Sequence, residues 1–108
     1  MAKKKIIEVI KFLEKCLHEE GLRLFQIILF GSQVRGNAHE ESDIDVVIIS
    51  KDFRNKDIFE RALMTKEPEI KTIRKFMIPL DIITLTPEEM KTSLIADYAK
   101  EGKAIYAK

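Results

Sequence analysis

The chain has 108 residues, 45% of them hydrophobic and 34% charged, with 19 Lys and Arg against 18 Asp and Glu for a formal net charge of +1. That length suits one domain spanning residues 1–108 with a core of its own, and the near-neutral balance gives no reason to expect direct nucleic-acid binding or attachment to a membrane surface. A single cysteine, Cys16, excludes an intrachain disulfide and a cysteine-built zinc site, and no apolar run approaches the ~18 residues of a membrane span. Glu8, Lys11, Glu14 and Lys15 interrupt the stretch after Lys3–Lys5, so no signal peptide is expected and the reading is cytoplasmic.

Ile6, Ile10, Leu13 and Leu17 recur at steps of four, three and four, which predicts an amphipathic helix ended by Gly21 in a left-handed cap. Cys16 reads as a small apolar residue on that helix. Leu22 to Phe30 is an apolar run that reads as a buried strand, stopped by Gly31-Ser32. The polar segment to Glu41, with Gly36 and Asn37, reads as a turn or short helical turn plus loop. Ser42 to Ser50 is the clearest strand: Asp43 and Asp45 stand at its start, and Val46-Val47-Ile48-Ile49 is a β-branched run suited to burial on both faces.

Asp57 to Thr65 predicts a helix with Ile58, Ala62 and Met64 inward, and a second helix is expected from Pro68 to about Met77, with Pro68 at its first position. Ile78 to Thr84 reads as a third strand carrying Asp81. Thr86-Pro87-Glu88-Glu89 is a helix start with Thr86 as N-cap and Glu89 closing a capping box. That helix is expected to run to about Lys100, with Met90, Leu94, Ile95 and Tyr98 apolar and Gly102 beyond its end. Ala104-Ile105-Tyr106 suggests a short edge strand. The order predicts an α/β, or α+β, sandwich in which helices flank one mixed sheet.

Chemistry concentrates in Gly31-Ser32 and in Asp43 and Asp45. Residues two apart on a strand project from one face with Cα atoms about 6.5–7 Å apart, so the two aspartates present their carboxylates side by side while Ile44 points the other way. Such a pair can hold Mg²⁺ and bracket two ions ~3.5–4 Å apart. Asp81 completes the cluster if the third strand lies beside the second. Without a cation the cluster repels itself, and at least one carboxylate has a raised pKa. Gly31, directly after a buried strand, lets backbone approach a ligand closely, and the next few N–H groups can point at a phosphate. Ser32 adds a hydroxyl donor. Arg35 fits either a phosphate contact or a surface ion pair.

The pattern G-S-x10-D-x-D, together with Pro79-Leu80-Asp81-Ile82-Ile83, resembles the signature of the DNA polymerase β-type nucleotidyltransferase superfamily in its minimal, single-domain form. The resemblance covers nearly the whole chain and implies a mixed sheet flanked by helices, with two Mg²⁺ ions held by three carboxylates. Carried over by position, Gly31 and Ser32 hold the triphosphate, and Asp43 and Asp45 ligate metal. Asp81 matches the third carboxylate, which assists deprotonation of the acceptor hydroxyl, and Arg35 and Gly36 resemble a looser part of the pattern. The implied reaction is attack of a hydroxyl on the α-phosphorus of a nucleoside triphosphate, ATP as the expected substrate, with release of pyrophosphate.

Larger members of the superfamily carry a second domain for the acceptor or the base, for which 108 residues leave no space. The acceptor is therefore expected on a partner or on another copy in a homo-oligomer. Minimal domains of this type are often paired with small helical HEPN proteins as toxin–antitoxin modules. There the transferase is the antitoxin and adds AMP to a tyrosine of the toxin. The alternative is a non-catalytic antitoxin subunit that neutralises its partner by contact and only binds nucleotide. Transfer to a small-molecule alcohol is a weaker third reading. His18 and His39 read as bystanders, and Tyr98 and Tyr106 as core or edge residues.

Overall fold

A computed structural model describes residues 3–30, 44–93 and 104–107. Helix α1 spans Lys3–Glu19 and buries Ile6, Val9, Ile10, Leu13, Cys16 and Leu17 on one side, the stripe expected from the sequence with two members added. It ends in a Schellman turn: the Gly21 N–H donates to the His18 carbonyl at 2.9 Å and the Leu22 N–H to the Leu17 carbonyl at 3.1 Å. Gly21 has φ +83°, a conformation that costs an L side chain energy even though a Cβ there would meet nothing within 4 Å.

Among the described residues four strands form one mixed sheet in the order β3-β2-β1-β4, with β1 at Leu24–Phe30, β2 at Ile44–Ser50, β3 at Leu80–Leu85 and β4 at Ala104–Ala107. β1 runs antiparallel to both β2 and β4, whereas β2 and β3 are parallel. A parallel pair needs a crossover, and helix α2, Ile58–Phe76, supplies it. The mixed sheet with flanking helices and the short β4 edge agree with the sequence reading.

β2 is buried on both faces, as its β-branched run predicts. Ile44, Val46 and Ile48 join Ile27 and Leu29 under α1, in a core that Met64, Ile73 and Phe76 of α2 help to close. Val47 and Ile49 join Ile28 on the opposite face, where Ile83, Leu85 and Met90 pack. Ser50 closes the strand: its hydroxyl donates to the Arg23 carbonyl at 2.7 Å and accepts from the Asp52 N–H at 3.0 Å. A short 3₁₀ turn, Lys51–Phe53, comes next and drops Phe53 fully into the core.

Asp52 ties this turn to the start of β1. It accepts from the Arg23 backbone N–H and from Arg23 Nε, each at 2.8 Å. The Arg23 hydrogen bonds hold its carboxyl below the usual aspartate range. A depressed folded pKa contributes stability that is present above the unfolded value, about 4, and is lost as pH falls through the lower folded one. The stability difference between wild type and Asp52→Asn, measured by urea denaturation, is therefore expected to hold steady from about pH 7 to about pH 5 and to shrink as pH falls below the unfolded value of about 4. A difference that grows on acidification would contradict the assignment.

α2 departs from the sequence reading in two ways. The expected break at Pro68 does not occur: one helix of 19 residues runs through it. Pro68 lacks the N–H that would bond the Met64 carbonyl, but its ring lies buried with Thr65 and Thr72 on the inward side, where packing favours an uninterrupted helix. The Thr72 hydroxyl donates back to the Pro68 carbonyl at 2.7 Å. That phase turns Ile58 and Ala62 outward, against expectation, and leaves Ile58 73% exposed; Met64 packs against the core as expected. Because interior proline costs about 3 kcal/mol against alanine while the lost ring methylenes return only part of that, Pro68→Ala is expected to stabilise the fold by about 1 kcal/mol, read as a raised denaturation midpoint. An unchanged or lowered midpoint would show that the ring's packing outweighs its backbone cost.

Helix α3, Pro87–Thr92, starts as predicted. The Thr86 hydroxyl accepts from the Glu89 N–H at 3.0 Å, and the Glu89 carboxylate accepts from the Thr86 N–H at 2.8 Å. It is shorter than the sequence suggested. Ser93 is extended, with ψ 161°, and its hydroxyl bonds the Met90 carbonyl at 3.3 Å, a local competitor to the helical bond. The remainder of the expected helix, including Leu94, Ile95, Tyr98 and Lys100, lies outside the described residues, as does Gly102. Among the described residues no helix is long and apolar enough to cross a membrane.

Candidate functional site

The parallel register of β2 and β3 sets Asp45 directly beside Asp81. Neighbouring strands lie about 4.8 Å apart, and Ile44 and Leu80, also partners, both point into the core beneath α1. Alternation then sends Asp45 and Asp81 to the opposite face together. The Ile44 N–H donates to the Pro79 carbonyl at 3.0 Å, which fixes the start of one strand against the approach to the other. Asp45 is half-buried and Asp81 exposed, so this face is open to a ligand at the paired strand starts.

β1 ends at the same place. Its last residue, Phe30, is the antiparallel partner of Asp45, so β1 ends next to the aspartate pair. Gly31, Ser32, Arg35 and Asp43 lie outside the described residues, and so does His39. The juxtaposition the sequence left open, third strand beside second with Asp81 level with Asp45, is what the sheet provides.

The donor set is chemically suited to a hard divalent cation: two carboxylates in register on one face offer the oxygen ligands that Mg²⁺ takes. Among the described residues no group of three His, Cys, Asp or Glu side chains is placed to hold a metal ion. Asp43 is the residue from which the sequence expects a further ligand.

Glu69 of α2 was not singled out by the sequence. Burial, and next the negative charge of Asp81, hold its carboxyl above the usual range. No linear motif marks it. Only the helix phase that carries α2 through Pro68 brings Glu69 toward the β3 edge, so the missing signal was the continuity of that helix.

A cleft of about 450 Å³ lies between α2, β3 and α3, with Arg61, Thr65, Glu69, Thr84 and Glu89 among its walls. Its main cation is already engaged: Arg61 Nη1 pairs with Glu89 at 2.7 Å and reaches the Thr84 carbonyl at 3.3 Å. The Arg61 hydrogen bonds hold the Glu89 carboxyl below its ordinary range. Neither Asp45 nor Asp81 is among its lining residues.

Comparison with known proteins gives consistent matches. The profile of the family described as Nucleotidyltransferase domain matches residues 4–105. Two Methanocaldococcus jannaschii proteins, provisionally named protein adenylyltransferases, are each 33% identical: one over 85 residues, 79% of this chain, and one over 101 residues, 90% of this chain. The chain spans 57% of the length of the first and 95% of the second. In fold it is similar to a provisionally named nucleotidyltransferase of Sulfolobus solfataricus, with TM-score 0.65 and 21% identity over 83% of this chain and 75% of that one. It is also similar to a chain in a toxin–antitoxin structure with AMP-PNP, with TM-score 0.60 and 20% identity over 91% of this chain and 73% of that one.

Proposed function

This chain belongs to the Nucleotidyltransferase domain family, and on that premise we propose that it transfers AMP from ATP to a hydroxyl group of a partner protein. The observation that carries the proposal is the Asp45–Asp81 pair, level on adjacent parallel strands where β1 ends. Asp43, Asp45 and Asp81 are assigned as the carboxylates that hold two Mg²⁺ ions, and Gly31 and Ser32, with Arg35, as the residues that hold the triphosphate. Bound Mg²⁺ supplies charge neutralisation at the transferring and leaving oxygens and lowers the pKa of a nearby hydroxyl.

In this reading Asp81, the more exposed of the described pair, faces the incoming acceptor and assists removal of its proton. The acceptor oxygen bonds to the α-phosphorus, the bond from that phosphorus to the β-phosphate bridge breaks, and pyrophosphate leaves. The chain contributes mainly position and electrostatics: Asp45 and Asp81 fixed by strand register, and Gly31 and Ser32 assigned to align the triphosphate.

The protein adenylyltransferase names of the two relatives support a protein acceptor, and the toxin–antitoxin structure of similar fold supports a partner that this chain neutralises. The partner is proposed to be a small helical HEPN-type toxin modified on a tyrosine, with both proteins in the cytoplasm. The test is incubation of the chain and Mg²⁺ with any small helical protein encoded beside it and ATP labelled at either the α- or the γ-phosphate. Label from the α position alone, on a partner tyrosine, is expected. No label in a complex that demonstrably forms would overturn catalysis and leave a subunit that acts by contact.

A further inference from the structure

α2 carries a second apolar stripe that the described residues leave largely exposed. Phe59, Leu63, Lys66 and Ile70 succeed one another at steps of four, three and four, the spacing by which one helix packs along another, and exposed Met77 follows at the helix's C-cap. Toward the chain's interior the same helix already buries Thr65, Pro68 and Thr72, so this second stripe points away from the sheet. Phe59 is 77% exposed, Leu63 70% and Met77 81%, far more than single surface apolar residues need. A shallow groove of about 540 Å³ runs beside Phe59, Leu63, Lys66 and Ile70.

The charges on and beside the seam select its occupant. Lys66 is the one polar member, and it has no ion pair among the described residues. A second copy laid parallel would set Lys66 against Lys66 in the same layer. Laid antiparallel with these four matched, Phe59 opposite Ile70, a second copy would set Glu60 against Glu67 along the flank. Either arrangement desolvates like charges face to face, which disfavours self-association.

We infer that the outward seam of α2 is the docking surface for an amphipathic helix of a different protein, one with an apolar stripe and a carboxylate opposite Lys66. Basic residues on that helix meet Glu60 and Glu67 along the flank. The inference rests on the reading above only in that the domain works with a partner protein; it does not depend on nucleotide transfer.

Two synthetic amphipathic helices test it, identical except for Glu or Lys at one core position among leucines, titrated against the full chain by fluorescence anisotropy. The Glu peptide is expected to bind wild type roughly tenfold more tightly than the Lys peptide, Lys66→Glu to reverse that order, and Leu63→Asp to abolish saturable binding of both. Circular dichroism checks that the two exposed-site variants keep their helix content. Failure of either peptide to saturate, or equal affinities that Lys66→Glu leaves unchanged, would overturn the proposal. So would a wild-type dimer in sedimentation velocity that Leu63→Asp converts to monomer. Mg²⁺·ATP affinity, measured in parallel, is expected to be the same in wild type and Leu63→Asp. Its absence in wild type would count against the transferase reading, while the peptide titrations still decide this surface.

Discussion

Asp45→Asn is expected to lower AMP transfer roughly 10²–10⁴-fold, in the range lost when a transition-state-stabilising or proton-handling group is removed. The substitution keeps the size and planarity of the side chain and removes only the anionic oxygen. Asp81→Asn is expected to fall in the same range, because strand register gives the two carboxylates equivalent places on one face. Glu88→Gln provides the contrast. That carboxylate sits in an exposed ion pair with Arg54, just past the C-terminal end of β2, whereas Asp45 and Asp81 stand at the strand starts, and its loss is expected to leave transfer within about twofold of wild type. Initial rates with α-labelled ATP, alongside thermal midpoints to exclude unfolding, make the comparison. Full activity in Asp45→Asn would remove this residue from the chemistry.

Phe53→Ala is expected to destabilise the chain by about 3–5 kcal/mol, a large share of the ~5–15 kcal/mol typical of a domain. Phe53 has no exposed surface and is among the largest fully buried side chains. It leaves β2 through the Ser50–Asp52 turn and lies under the Arg61 guanidinium, whose carbon is 5.9 Å from the ring centroid. The ring therefore joins the core to the Arg61–Glu89 link between α2 and α3. Urea denaturation reads the loss as a lowered midpoint at unchanged slope. A loss below about 1 kcal/mol would show that the surrounding residues collapse into the space.

The sequence was most legible where local chemistry and tertiary packing agree. The α1 stripe, the Gly21 stop, the doubly buried β2 and the Thr86–Glu89 capping box each combine propensity, pattern and cap, and each stands in the structure as expected. α2 was misread because Pro68 is a strong local breaker, while the buried packing of its ring is a tertiary fact that no window of sequence contains. The phase error came from that: Ile58 and Ala62 read as inward because apolar residues default to the core. At the candidate site, the side-by-side reading of Asp43 and Asp45 rests on strand periodicity alone, and Asp43 lies outside the described residues. The level placement of Asp45 and Asp81 needed the parallel pairing, which the sequence could state only as a condition.

The central claim is that a divalent cation sits at the starts of β2 and β3, and Mn²⁺ substituted for Mg²⁺ in the presence of a non-hydrolysable ATP analogue probes it directly. Backbone amide resonances should broaden most strongly at Asp43, Asp45 and Asp81 and at the neighbouring Gly31 and Ser32, less at Val46 and Ile82, and least in α1 on the far side of the sheet. Strongest broadening elsewhere, or none at any concentration that saturates the nucleotide, would contradict the account.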